Sequence, residues 1–199
     1  MNRRELVAGI GSVVLLAGAG GVMWRGLPAF ADPADGSSDL EDAENQEKSG
    51  ETDGSLEVPT IDANGSEAGA LTVPDRRATV ATFFVTGCGQ CQAQMPRLAE
   101  AHSTLEERHG DDVAVLSVTY QTPETMPENE LREWWADLGG NWSVGYDPSP
   151  SLAATYGAVG YPVTIVVDEN GEKHWHENGV QRANRIVRAA ESVLEAGGD

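Results

Sequence analysis

From residue 56 onward the apolar positions of the chain switch between two periods. Leu56 to Ile61 and Ala70 to Val73 read as short strands around the turn-rich Asn64-Gly65-Ser66, a small N-terminal hairpin. The apolar run Ala78 to Val85 predicts a buried strand, and the pattern after it a helix from about Gly89 to His109. Val113, Val115, Leu116 and Val118 mark a second buried strand over Asp112 to Thr119. Pro127 to Leu138 opens on proline and carries acids in its first turn, as a helix start does. Ser143 to Tyr146 reads as a short strand and Ser149 to Tyr156 as a short helix. Pro162 to Asp168 and Glu172 to His176 then form a hairpin about Glu169-Asn170-Gly171. Ile186, Val187, Ala190, Val193 and Leu194 give the last helix its apolar stripe. Strands alternating with helices predict an α/β three-layer sandwich with a central mixed sheet and an N-terminal hairpin. Its span, residues 57–199, is an ordinary size for one core.

Ahead of that domain the pattern changes twice. Arg3 and Arg4 precede Leu6 to Trp24, an uncharged apolar run, and Ala29-Phe30-Ala31 then offers a small-x-small cleavage site. Residues 1–31 therefore read as an export signal, either cleaved or kept as a membrane anchor with its arginines inside. Arg3-Arg4 ahead of Glu5-Leu6-Val7 resembles a twin-arginine signal with an incomplete flanking pattern. Residues 32–56 are rich in acids with Lys48 as their one base, and too few apolar side chains occur there to offset the entropy of ordering. Self-repulsion makes this stretch an extended linker.

Charge extends the same picture into the domain. Residues 58–199 hold nine Lys and Arg against 21 Asp and Glu, a formal balance of −12, and Lys48 and Lys173 are the only lysines of the chain. No basic patch is available for nucleic acid. Abundant carboxylates with almost no lysine resemble the composition of proteins from salt-loving archaea, where ionic strength screens their repulsion.

The chemistry lies in the two cysteines, Cys88-Gly89-Gln90-Cys91, at a strand-to-helix junction. A helix N-terminus stabilises a thiolate on the first sulfur, and the second lies one turn on, placed to close a disulfide. A structural zinc site needs four ligands and would have to borrow from His102, His109, His174 and His176. His102 and His109 read as solvated or capping residues. His174-Trp175-His176 puts two imidazoles on one strand face, a weak metal pair. A purely structural disulfide is the other alternative, although so short a loop stabilises little. Pro96 disturbs the helix after the motif, and Pro162, opening a buried strand after Gly160-Tyr161, is a candidate for a cis peptide. Adjacent Trp134 and Trp135 cannot both face the core of one helix, so one of them covers an edge or lies near the site.

The segment Phe83 to Pro96, with Tyr146-Asp147, Leu152-Ala153, Tyr156-Gly157, Gly160-Tyr161-Pro162 and Asp168-Glu169-Asn170-Gly171, resembles the TlpA/ResA-like thiol-disulfide oxidoreductases of the thioredoxin superfamily. The resemblance spans about residues 57 to 197, and the order of elements is that of a thioredoxin. It implies a protein disulfide reductase with Cys88 as nucleophile, Cys91 as resolving cysteine and Pro162 as cis-proline, and with Tyr161 and Gly87 in contact with substrate. No cofactor and no metal are implied. The implied partners are protein thiols and disulfides outside the cytoplasm and a membrane electron donor, in the service of cytochrome or copper-site maturation or redox homeostasis. Three positions depart from the family: Gly87 where tryptophan is common, Gln94 where glutamate is frequent, and Thr82 where thioredoxins bury an acid. Without those carboxylates, protons reach Cys91 through water or a substrate group. An SCO-type copper-delivery module, which uses a longer CxxxC spacing, and a thiol peroxidase, whose preceding Pro and Thr are absent, are the alternatives.

Overall fold

The structure is a computed structural model, and it describes residues 55–197. The expected export signal and the linker up to residue 54 lie outside the described residues. Seven strands, β1 (Leu56–Thr60), β2 (Gly69–Val73), β3 (Ala78–Phe84), β4 (Val113–Thr119), β5 (Ser143–Tyr146), β6 (Val163–Asp168) and β7 (Lys173–Asn178), form one sheet in the order β2-β1-β5-β4-β3-β6-β7. Strands β3, β4 and β5 run parallel, while β1 and β6 flank them antiparallel, so the sheet is mixed as expected. The hairpin β1–β2 pairs Leu56 with Val73 and Thr60 with Gly69.

The central strand shows how the pattern makes the layers. Every residue of β3 is buried, and its side chains alternate between two cores. Ala78, Val80 and Phe84 join the core on the face covered by α1 (Gly89–His109), α2 (Glu128–Asp137) and α4 (Ala183–Ala196). Ala81 and Phe83 face the opposite core, with Leu152, Ala153 and Tyr156 of α3 (Ser151–Tyr156). The stripe on α4 is buried in full, from Ile186 and Val187 to Leu194.

Aromatic packing separates the adjacent tryptophans. Trp135 is fully buried edge-on to Trp142, centroids 4.7 Å apart, and its indole N–H donates to the Asn64 carbonyl at 3.0 Å. Trp134 is half-buried and stacks on Phe84 at 5.0 Å, beneath the strand end that leads into the cysteine turn.

Two expectations about histidines are corrected. A register shift in β7 pairs Val166 with Trp175 but Val167 with Lys173, leaving His174 as the inserted residue. The strict alternation that would place His174 and His176 on one face is thereby broken. His174 Nε2 lies 3.0 Å from Asp168 Oδ2, and His176 Nδ1 lies 3.3 Å from Lys173 Nζ. Nor are the helix histidines simply solvated. His102 is half-buried beside Trp142, and burial holds its pKa below the ordinary 6.5. His109 bonds Glu191 across the α1–α4 contact at 3.2 Å.

Candidate active site

Where β3 ends, the turn Val85 to Cys88 closes through the Cys88 N–H to the Val85 carbonyl at 3.2 Å, and α1 begins at Gly89. Cys88 is its N-cap, in extended conformation (φ −91°, ψ 114°), and its Sγ accepts the N–H of Cys91 at 3.2 Å. A sulfur here takes the place of the usual Ser or Asp cap oxygen, on an amide that helix geometry leaves without a partner. Acceptance of an N–H at the positive end of the helix dipole is a role that a thiolate fills better than a thiol.

The two sulfurs differ in access. Both cysteines are unpaired; Cys88 is half-exposed and Cys91 is buried. The Cys91 thiol is pushed up to about 12, by burial first and then by hydrogen bonding to Cys88. Cys88 is thus the sulfur a partner can reach, and Cys91 remains protonated behind it.

The loop before β6 supplies the facing wall. The Tyr161–Pro162 peptide is cis, as is Val73–Pro74. The Tyr161 carbonyl oxygen lies 4.0 Å from Cys88 Sγ, and the buried Pro162 accepts the Gly179 N–H at 2.8 Å. Tyr161 itself is half-exposed. Gly87, directly before Cys88 in the turn, is exposed, and a Cβ placed there would meet nothing within 4 Å. The site therefore has open space beside the first cysteine, at the position where the sequence departs from the resemblance. Of the described residues, the large hydrophobic side chains left exposed are Val159 (82%), Tyr161 (50%) and Val180 (36%). All three belong to the two loops joined at Pro162, one of which brings the Tyr161 carbonyl to Cys88.

The two family departures in the interior are filled by neutral groups. Thr82 Oγ1 and Thr164 Oγ1, both buried, bond each other at 3.1 Å across β3 and β6. Gln94 is buried one helical turn beyond Cys91; its Oε1 accepts the Gln181 N–H at 2.6 Å, and its Nε2 has no partner. The described groups of close potential metal ligands comprise Asp168, Glu172 and His174, with neither cysteine among them. A groove of about 830 Å³ at the β1–β2 hairpin, lined by Thr60, Ser66, Glu67 and Thr72, also excludes the cysteines.

Sequence reasoning missed the polar side chains that hold the cysteine turn. Thr86 is clamped by Gln121, which accepts both its N–H (2.8 Å) and its hydroxyl (3.0 Å), and by Gln92, which donates to its carbonyl at 3.1 Å. Nothing local marks Gln121 for that role, since it lies 35 residues away, two positions past the end of β4.

This architecture is thioredoxin-like. StoA from Bacillus subtilis matches it with a TM-score of 0.56 at 15% identity, over 68% of this chain and 95% of that one. A secreted Mycobacterium tuberculosis disulfide oxidoreductase matches at 0.54 and 11% identity, over 69% and 95%. The exposed lipoprotein thioredoxin of Streptococcus pneumoniae matches at 0.54 and 23% identity, over 69% and 98%. At these identities the likeness defines the fold alone. No curated protein matches the sequence. Residues 48–194 match the Redoxin family, and the chain belongs to that family of thiol-dependent redox enzymes.

Proposed function

We propose that the chain is an exported protein disulfide reductase of the TlpA/ResA kind, working with Cys88 as nucleophile and Cys91 as resolving cysteine. The observation that carries this reading is Cys88 Sγ at the helix N-cap, accessible, 4.0 Å from the Tyr161 carbonyl and one turn from a buried second thiol. In the forward step the Cys88 thiolate attacks one sulfur of a substrate disulfide, and the substrate S–S bond breaks to give a mixed disulfide and one free thiolate. Cys91, losing its proton to water or to that departing thiolate, attacks Cys88 Sγ and expels the second substrate sulfur. Two electrons have passed to the substrate, one of its two thiols has taken the Cys91 proton directly or through water and the other is protonated by solvent, and the chain holds a Cys88–Cys91 disulfide. A membrane dithiol donor would return it to the reduced state.

Gly87, Tyr161 and Pro162 form the substrate surface in this reading, with Val159 and Val180 extending it. An apolar rim on a negatively charged domain favours polypeptides with apolar residues beside the target cysteine and no excess of acids around it. The signal and linker of residues 1–56 would hold the domain outside the membrane, and the acidic surface suits a salt-rich medium. No described histidine joins the cysteines, which leaves copper delivery without support from the site.

Equilibration of the purified protein with dithiol buffers tests the direction. A reductase is expected to poise below about −180 mV, while a value near about −120 mV, the strongly oxidising end, overturns that assignment. Failure of the reduced protein to form a mixed disulfide with any disulfide-bonded polypeptide would overturn the oxidoreductase reading altogether.

A further inference from the structure

The end of β4 touches both walls of the site. Tyr120 and Gln121 directly follow β4, and their side chains reach the loops that carry Tyr161 and Cys88 respectively. On one side, the Tyr120 hydroxyl donates to the Ala158 carbonyl at 3.0 Å, and its ring lies between Phe83 (5.9 Å) and Tyr161 (6.0 Å). On the other, Gln121 Oε1 collects three donors: the Thr86 N–H at 2.8 Å, the Thr86 hydroxyl at 3.0 Å and the Thr119 hydroxyl at 3.3 Å. The Thr86 N–H is a donor only, so the amide oxygen must face it and the orientation of the amide is fixed. Gln121 is itself held, its N–H donating to Thr119 Oγ1 at 3.2 Å.

We propose that Tyr120 and Gln121 are positioning residues, a two-armed bracket anchored at the end of rigid β4 that sets the spacing between Cys88 and the Tyr161–Pro162 loop. The inference rests on the oxidoreductase reading, because that spacing matters only if a substrate chain is gripped between the two. β4 lies centrally in the sheet, paired with both β3 and β5, so it forms a stiff base for two loops that make no strand ladder with each other. Cys88 Sγ and the Tyr161 carbonyl are 4.0 Å apart, and the attacking sulfur and substrate backbone must be aligned at once. Thr86 has its N–H, hydroxyl and carbonyl all engaged, which leaves the cysteine turn no local slack.

Three substitutions in the full protein test the bracket. Gln121→Leu removes the acceptor, Gln121→Glu keeps an oxygen at the same reach, and Tyr120→Phe removes the hydroxyl while keeping the ring. Amide hydrogen exchange reads the clamp without any catalysis: Thr86 is expected to exchange roughly tenfold faster or more in Gln121→Leu and to stay near wild type in Gln121→Glu. The second readout is the pH-independent plateau rate, where a changed thiol charge state drops out. There, reaction of the reduced protein with a disulfide-bonded peptide is expected to fall roughly tenfold or more in Gln121→Leu and Tyr120→Phe, with Gln121→Glu restoring most of it. Alkylation of Cys88 by iodoacetamide, which needs no second wall, is expected to stay within about twofold throughout.

If Gln121→Leu does not fold, Gln121→Asn, which draws the oxygen back by one methylene, supplies the same comparison. Unchanged Thr86 exchange, or peptide reaction that falls only in proportion to alkylation, overturns the bracket. A wild type that reacts with iodoacetamide but with no peptide disulfide refutes the parent reading, and the positioning role falls with it whatever the Thr86 exchange shows.

Discussion

Thr82 and Thr164 hold their hydroxyls 3.1 Å apart in the buried middle of the sheet. Each satisfies the other, so neither strand carries an orphan polar atom at that register. Replacing Thr82 alone by valine, of nearly the same shape, leaves the Thr164 hydroxyl unpaired in the core and is expected to cost about 1–3 kcal/mol. Changing both to valine removes donor and acceptor together and is expected to be close to neutral, which gives the pair a large coupling in a double-mutant cycle. Urea unfolding of the four proteins measures it; additive single costs contradict the pairing.

The same hydroxyl pair has a consequence for the redox cycle. With Thr82 and Gln94 in the interior, no carboxylate at either position takes the proton from Cys91, whose thiol burial pushes far above its ordinary range. In the mixed disulfide the contribution of Cys88 disappears, but burial, the larger cause, remains. The thiolate fraction of Cys91 thus rises about tenfold per pH unit until its pKa is reached. Breakdown of the mixed disulfide is expected to accelerate with that slope through neutral pH, without a plateau below about pH 9. Cys91→Ser should abolish the breakdown and trap the adduct on Cys88. A plateau near neutrality would reveal a base that the structure does not provide.

Glu191 gives the fold an acid-sensitive contact. Its carboxylate bonds His109 at 3.2 Å and Arg108 at 3.0 Å, joining α4 to the end of α1. The His109 bond first, then that to Arg108, holds its pKa below the ordinary 4.5. A carboxylate depressed on folding contributes stability above its unfolded pKa and loses it as pH falls through the folded value. Urea midpoints should therefore decline as pH drops below about 4.5, and Glu191→Gln should flatten this decline while lowering the midpoint near neutrality. Parallel pH profiles for the two proteins would remove Glu191 from the account.

How far the sequence carried differs by element. β3, β4 and β6 were legible because each is a largely buried apolar run, and α1 because its cap, its stripe and the terminating Gly110 all lie within the local pattern. The redox pair was legible for the same reason: Cys88 and Cys91 are three residues apart, and one helical turn brings their roles together. The bracket was not. Thr86 and Gln121 meet only because β3 and β4 are parallel neighbours that end level, Phe84 beside Thr119, a fact of register that no local pattern encodes. Likewise the residues around His174 and His176 do form a strand, but the bulge opposite Val166–Val167 separates the two imidazoles, and bulges follow from the partner strand. The exposed Val159 and Val180 are ordinary as single residues. The β6–β7 pairing of Val163 with Asn178 and the Gly179–Pro162 hydrogen bond beyond it bring their loops side by side.

Salt is the remaining lever, and the structure sharpens the experiment. Asp111 and Asp112 face Arg76 and Arg77, whereas Glu106, Glu107, Glu133 and Asp137 are exposed and take part in no ion pair among the described residues. Their repulsion, with that of the other surface acids, acts over a Debye length of about 10 Å at 0.1 M salt and about 3 Å at 1 M. Relief of about 2 kcal/mol of such repulsion corresponds to about 5–10 °C for a domain of this size. The unfolding temperature is therefore expected to climb by that amount or more between dilute buffer and molar potassium chloride, and disulfide reduction to rise with it. Glu106→Gln, Glu107→Gln, Glu133→Gln and Asp137→Asn combined should raise stability in dilute buffer and shrink the salt response, because they remove the repelling charges without touching an ion pair. An unfolding temperature that ignores salt in the wild type refutes the halophilic reading. The redox assignment would survive that result, since Cys88, Tyr161 and the β4 bracket owe nothing to the acids on the surface.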